Sequence, residues 1–298
     1  IYQLALAILG EPIQEKKEKQ FHTFRRYVDN FQSWLDALFV DEAAKKRGEL
    51  NVSIFHRTLD RVRRILANVP TYMIFDDHEV TDDWNLNPMW MDWVYNVPLG
   101  RTVLRNGLIA YALFQDWGNR PDEYEKSNRP HAKFIEQVQK LFPKNSSNPT
   151  TPDESALKEI DKLLGLWPMN ANPPMKWHFT IDGARHRVLV LDNRTRRSFL
   201  SRMGPPENLN EQAFEDQIPL GPLPPGYEVL FVIAPIPVFW APMMEEFITP
   251  FVYRVFDALG NRNVERGMAG TDPDAIEGWS HAPKAQEKLL KKLATYRK

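Results

Sequence analysis

Thr71–Asn85 reads TYMIFDDHEVTDDWN, and its two halves are chemical opposites. Thr71–Phe75 is a short apolar run rich in strand-forming residues. Asp76-Asp77-His78-Glu79 follows at once, with Asp82 and Asp83 just beyond, so five carboxylates and an imidazole fall within eight residues. Charge of one sign packed that closely repels itself unless a positive partner neutralises it. Carboxylates and histidine where a strand meets a loop suit a hard or borderline cation such as calcium, magnesium, manganese, iron or zinc. The competing reading is a solvated acidic loop whose aspartates cap the next helix. The strand running straight into the cluster favours the metal site.

The elements around this stretch give a mixed α/β pattern. Further strands are expected at Lys176–Ile181, Arg187–Leu191 and Glu228–Ala234, the first two joined through Asp182-Gly183, a dipeptide suited to hairpin turns. Apolar residues at helical spacing predict helices over Phe21–Lys46, Val52–Ala67 and Leu99–Trp117, the last packing through Val103, Leu104, Leu108, Ala112 and Leu113. Arg57, Arg61, Arg63 and Arg64 read as the wet face of the second of these. Pro/Asn-rich stretches at Phe142–Asp153 and Leu166–Met175 flank a helix over Glu154–Leu164, and residues 120–175 read as a helical and loop insertion. A helix over Pro283–Tyr296 closes the chain, and no internal repeat is visible.

Composition narrows the function classes. The 298 residues can bury a sizeable core. A formal net charge of -1 carries no global basic field, which argues against nucleic acid as the main partner. The absence of cysteine excludes disulfides, thiolate metal sites and cysteine nucleophiles. The longest apolar run, Val229–Met244, is broken by Pro235, Pro237 and Pro242 and falls short of the roughly 20 residues of a membrane-spanning helix. The chain opens on isoleucine without a signal-like region, so localisation is left open, as is the oligomeric state.

IFDDHEVTDDWN resembles the central motif of the alkaline phosphatase D-like (PhoD-like) metallophosphoesterases, in which an apolar strand runs into a D-D-H-E step with a D/N-D/N-W shortly after. Four further segments agree in order: LIAYALFQDWGN (Leu108–Asn119), HRVLVLDNRTRR (His186–Arg197), VLFVIAPIPVF (Val229–Phe239) and EGWSHAPKAQEKLLKKL (Glu277–Leu293). The resemblance implies a two-sheet sandwich flanked by helices and, with no G-D-Q or G-D-V-H step present, incomplete at both ends. Residues 1–298 then read as the central part of one catalytic domain. Where the family carries serine before its proline turn, this chain has Ala234.

The resemblance implies metal-dependent hydrolysis of phosphate mono- or diesters, with a small-molecule phosphate ester as substrate. Such hydrolysis needs a hydroxide near neutral pH, positive charge around the phosphoryl oxygens and a proton for the departing alkoxide. Two divalent or trivalent ions, about 3.5–4 Å apart, supply the first two. The resemblance puts Asp77, with Asp76, among the metal ligands and His78 at the leaving group. Glu79 and Asp76 then orient His78. Asp82 and Asp83 read as ligands or helix caps, and Arg194 as a phosphate clamp or the salt-bridge partner of Asp192. Trp84, Trp90, Trp93 and Tyr95 read as core or as a wall over the substrate. His56, His178, His186 and His281 lack paired spacing and are assigned no ligand role. Specificity is expected from Trp84–Pro98 and Gly118–Met175. The alternative function is a non-catalytic scaffold of the same fold, acting as a binding domain; a serine hydrolase is disfavoured because no G-x-S-x-G elbow is present.

Overall fold

A computed structural model describes residues 54, 57–80, 84–86, 88–141, 152–200, 206–239 and 278–296. The chain divides into two compact units, Ile1–Tyr72 and Met73–Lys298. The described part of the first holds a helix, α1, over 57–68. It matches the helix expected over Val52–Ala67, but Val62, Ile65 and Leu66 on it are exposed. The helix expected over Phe21–Lys46 lies outside the described residues.

The second unit begins with helices. Pro88–Asn96 is α2 and Pro98–Tyr111 is α3, which runs on through a π-turn, Ala112–Asp116, and a last α-turn, Trp117–Asn119. Next come α4 (Pro121–Glu125), α5 (Pro130–Leu141) and α6 (Glu154–Leu164). Proline opens α3 and α4, where a missing N–H costs nothing and the ring presets φ. The Asp153 carboxylate accepts the N–H groups of Ser155 and Ala156 to start α6, and Gly165 at φ 73 ends it. Phe75, Leu104, Leu108, Phe134, Ile160 and Trp177 belong to one buried cluster, tied by a two-pronged ion pair from Arg105 on α3 to Asp161 on α6 at 2.6 and 2.7 Å. Residues 120–175 therefore give α4–α6 to the same core as Phe75.

The sheet follows. Phe179–Asp182 (β1) pairs antiparallel with His186–Val190 (β2), the hairpin closing where Gly183 N–H donates to the His186 carbonyl at 2.9 Å. After a two-stranded ribbon, Ser198–Phe199 (β3) with Pro206–Glu207 (β4), and the helix Glu211–Gln217 (α7), strand Val229–Ile233 (β5) pairs parallel with β2. Parallel pairing requires such a crossover. Trp279–His281 forms a 3-10 turn, and Pro283–Ala294 is α8. A second buried cluster joins Leu189 and Leu191 to Phe214 of α7, Trp279 and Leu289 of α8. The mixed α/β class holds, with sheets of three and two strands among the described residues.

One expected strand is corrected. Among the described residues, Thr71–Phe75 forms no ladder with another strand. Its Met73 backbone is instead paired by a side chain: Asn119 Oδ1 accepts the Met73 N–H at 3.0 Å, and Asn119 Nδ2 donates to the Met73 carbonyl at 2.6 Å. A carboxamide can copy one rung of a sheet, so the Met73 backbone is paired without a neighbouring strand. The strand expected from Lys176 starts later, at Phe179, because the Lys176 carbonyl is taken up by Arg120 and His131. Among the described residues no helix is long and apolar enough to cross a membrane.

Candidate metal centre

Phe75 fixes where the acidic residues emerge. Its ring is fully buried against Tyr111 at 4.5 Å, Trp84 at 5.2 Å and Trp177 at 5.9 Å between centroids. The Tyr111 hydroxyl donates to the Met73 carbonyl at 3.1 Å, so the two residues ahead of Phe75 are held as well. The chain then leaves the core and turns, Val80 N–H donating to the Asp77 carbonyl at 2.9 Å. Asp76 ends this segment in a reciprocal cap. Its Oδ1 accepts the His78 N–H at 2.9 Å, while its own N–H donates to Glu79 Oε2 at 3.0 Å.

This turn brings ligand atoms of Asp76, Asp77 and His78 within 4.8 Å of one another. The Asp77 side chain is 10% exposed and that of His78 is 66% exposed, with Nδ1 3.5 Å from Asp77 Oδ1. A protected carboxylate thus sits beside a ring open to solvent. Burial works to raise the Asp76 carboxyl, but the His78 N–H and the contact with Glu79 outweigh it and hold it below the usual range. Burial raises Glu79, and the adjacent Asp76 raises it further. The two carboxyls are therefore pushed apart, with Asp76 the one kept as an anion. Two carboxylates and an imidazole fit a hard or borderline cation, covering one side of its coordination shell.

Asp77 has a cationic neighbour in the protein itself. Arg194 Nη2 lies 3.2 Å from Asp77 Oδ1, and Arg194 Nη1 donates to the Trp84 carbonyl at 3.1 Å, with the arginine side chain 3% exposed. The turn that delivers Arg194 follows β2. Asp192, fully buried, accepts the N–H groups of Arg194 at 3.1 Å and Thr195 at 2.9 Å, and the Thr195 hydroxyl. Asp192 thus meets Arg194 at the backbone, while the guanidinium of Arg194 meets Asp77. Burial raises the Asp192 carboxyl against those bonds. The arrangement makes Arg194 the holder of Asp77. A carboxylate has acceptor sites enough to meet an arginine on one side and a cation on another.

No protein family, no curated protein and no solved structure matches the chain.

The other expected site residues fall as follows. Asp82 and Asp83 lie outside the described residues. Trp84 and Tyr95 are buried, Tyr95 donating its hydroxyl to Asn85 Oδ1 at 3.0 Å, and both also line a cavity; Trp90 packs against the first cluster, and the Trp93 side chain lies outside the described residues. His178 is a neutral core histidine, pushed down to about 3 by burial together with Arg120, Arg196 and Lys176. His186 stands edge-on to Phe231 of β5, and His281 lies in the 3-10 turn. Two residues that matter to this site were not singled out in the sequence. Asn119 positions the Met73 backbone, and the π-turn ends on Asp116, which is fully buried against Arg120 and Tyr124. The Asn119–Met73 pairing spans 46 positions, which no local spacing announces, whereas Asp116 meets Arg120 and Tyr124 only four and eight positions on.

Proposed function

We propose that this chain supplies part of the active site of a metal-dependent phosphoester hydrolase of the alkaline phosphatase D-like kind. The observation carrying the reading is the Asp76–Asp77–His78 group, three candidate ligands within 4.8 Å at the point where a buried aromatic anchor releases the chain to solvent. Asp76 and Asp77 would hold the cation, which supplies charge neutralisation and an acidified water when bound. His78 would give a proton to the departing alkoxide, a role supported by its exposure to solvent beside a carboxylate. Arg194, 3.2 Å from Asp77 Oδ1, would hold that side chain in position. The two-sheet sandwich belongs to the same proposal. It is supported by the face of β5, where Val229, Phe231 and Ile233 are 45%, 49% and 45% exposed, an apolar row suited to a second layer.

A second reading has its own observation. The Arg194 contact neutralises Asp77 without any metal, as a non-catalytic scaffold of the same fold would require. The test is hydrolysis of bis-p-nitrophenyl phosphate and p-nitrophenyl phosphate by the full product of the gene, with calcium, manganese, iron or zinc added. Under the hydrolase reading, metal-dependent turnover falls about a hundredfold or more in both His78→Ala and Asp77→Ala. Metal binding with no turnover establishes the scaffold instead. Absence of both leaves the acidic turn as capping and surface charge.

A further inference from the structure

A cavity of about 620 Å³ has Arg194 in its wall. It lies in the size range, roughly 300–1,000 Å³, of pockets that enclose small organic molecules. Its apolar wall is made by Trp84, Met91 and Tyr95 from the stretch around α2, by Leu166 and Met169 beyond α6, and by Phe199 of β3. Aromatic faces and thioethers pack well against a flat ring.

Most of the polar residues of the wall make hydrogen bonds within the protein. Asn85 donates to the Arg194 carbonyl at 3.0 Å and accepts from the Tyr95 hydroxyl. Asn172 Oδ1 accepts from Arg196 at 2.9 Å, and the Gln212 amide donates to Asp216 at 2.8 Å. Asn210 caps α7 through the Ala213 N–H and donates to the Ala171 carbonyl. The Thr195 and Ser198 hydroxyls are turned to Asp192 and Glu207. Arg194 is held by Asp77, and Arg197 donates to the carbonyls of Asn193 and Asn85 at 2.9 Å each. Groups so engaged would have to break bonds to serve a polar ligand, which costs about what the new bond returns. Glu211 of the wall is likewise taken up, in an ion pair with Lys288.

We infer that this cavity receives an uncharged aromatic group, the charged part of any ligand staying outside it. Under the phosphoester reading, on which this clause rests, that group is the organic part of the ester, and the enzyme prefers aryl over small alkyl substrates. Arg194 is the link, since one side chain both walls the cavity and holds Asp77.

The experiment titrates 2-naphthol, neutral at pH 7, into the protein by calorimetry without metal. The variants are Met169→Asp, at a position 52% exposed and so safe for folding, and Met91→Asp, admitted only if its melting curve matches wild type. The expected result is saturable binding that weakens at least tenfold in Met169→Asp. No saturable binding to wild type, or undiminished binding to Met169→Asp, overturns the inference. Hydrolysis of 2-naphthyl phosphate and methyl phosphate is then compared. Naphthol binding without hydrolysis of either ester leaves the pocket standing and removes the hydrolase reading. Hydrolysis without naphthol binding does the reverse.

Discussion

Arg194 shows how one residue type in one place can serve stability and chemistry together. Its guanidinium sits at 3% exposure between Asp77 and the Trp84 carbonyl, so removing it strands a nearly buried carboxylate. Breaking such a pair from one side costs about 3 kcal/mol or more, chiefly as the unpaid desolvation of the remaining charge. Arg194→Leu is therefore expected to lower unfolding free energy by about that amount in urea denaturation, with Arg194→Lys recovering only part because lysine lacks the planar fork. His78→Ala, at a ring two-thirds open to solvent, is expected to stay within about 0.5 kcal/mol of wild type. Equal losses in the two variants would mean that His78 is structural. The motif D-D-H-E was legible as a candidate site because it crowds carboxylates and an imidazole together, a repulsion that a cation would relieve. That Arg194 would face Asp77 was not, since 117 residues (194 minus 77) separate them and the turn that joins them depends on Asp192.

Elements with strong local punctuation were readable in advance. Asp153 before Glu154–Leu164 and Gly165 after it mark that helix from both ends, and the expected span is the observed one. Gly165 also carries the clearest prediction at this scale. At φ +73 a side chain is strained, and a Cβ there would lie 2.6 Å from the Asn170 carbonyl oxygen, a backbone atom that cannot rotate away. Gly165→Ala should cost about 2 kcal/mol or more, read as a lower thermal midpoint, and an unchanged midpoint would contradict the left-handed cap. Thr71–Phe75 shows the limit of such reading. Its composition says strand, yet what an extended segment pairs with is decided elsewhere, here by the carboxamide of Asn119. The π-turn at Ala112–Asp116 was equally hidden within a helix whose apolar spacing looked regular.

At the scale of the whole molecule, buried polar groups tie α5 and the residues before β1 to the helical core, and they set a pH dependence. His131 and His178 are each pushed down to about 3, burial being the main cause for both, with Arg120 adding to it. A histidine kept neutral in the fold takes up its proton in the unfolded chain first, so between about 3 and 6.5 the unfolded state holds more protons. Stability must then fall as pH falls through that window. Asp216 behaves separately. Burial would raise it, but Lys176, Gln212 and Arg196 hold it below the usual range, and its contribution is lost only below its ordinary value of 3.8. Urea midpoints should drop from about pH 7 to about pH 4.5 in wild type, and drop less in a His131→Gln, His178→Gln double variant. Parallel declines in the two proteins would show that these rings do not carry the effect. Periodicity and punctuation in the sequence alone determined the mixed α/β class, the helices expected over Leu99–Trp117 and Glu154–Leu164, the β1–β2 hairpin and the acidic loop, because each depends on neighbours in the chain. Tertiary structure alone decided the parallel pairing of β2 with β5, the Asn119 clasp, the Arg194–Asp77 contact and the cavity beside it. Each of these joins residues dozens of positions apart, and such contacts are chosen by packing of the whole unit, not by local preference.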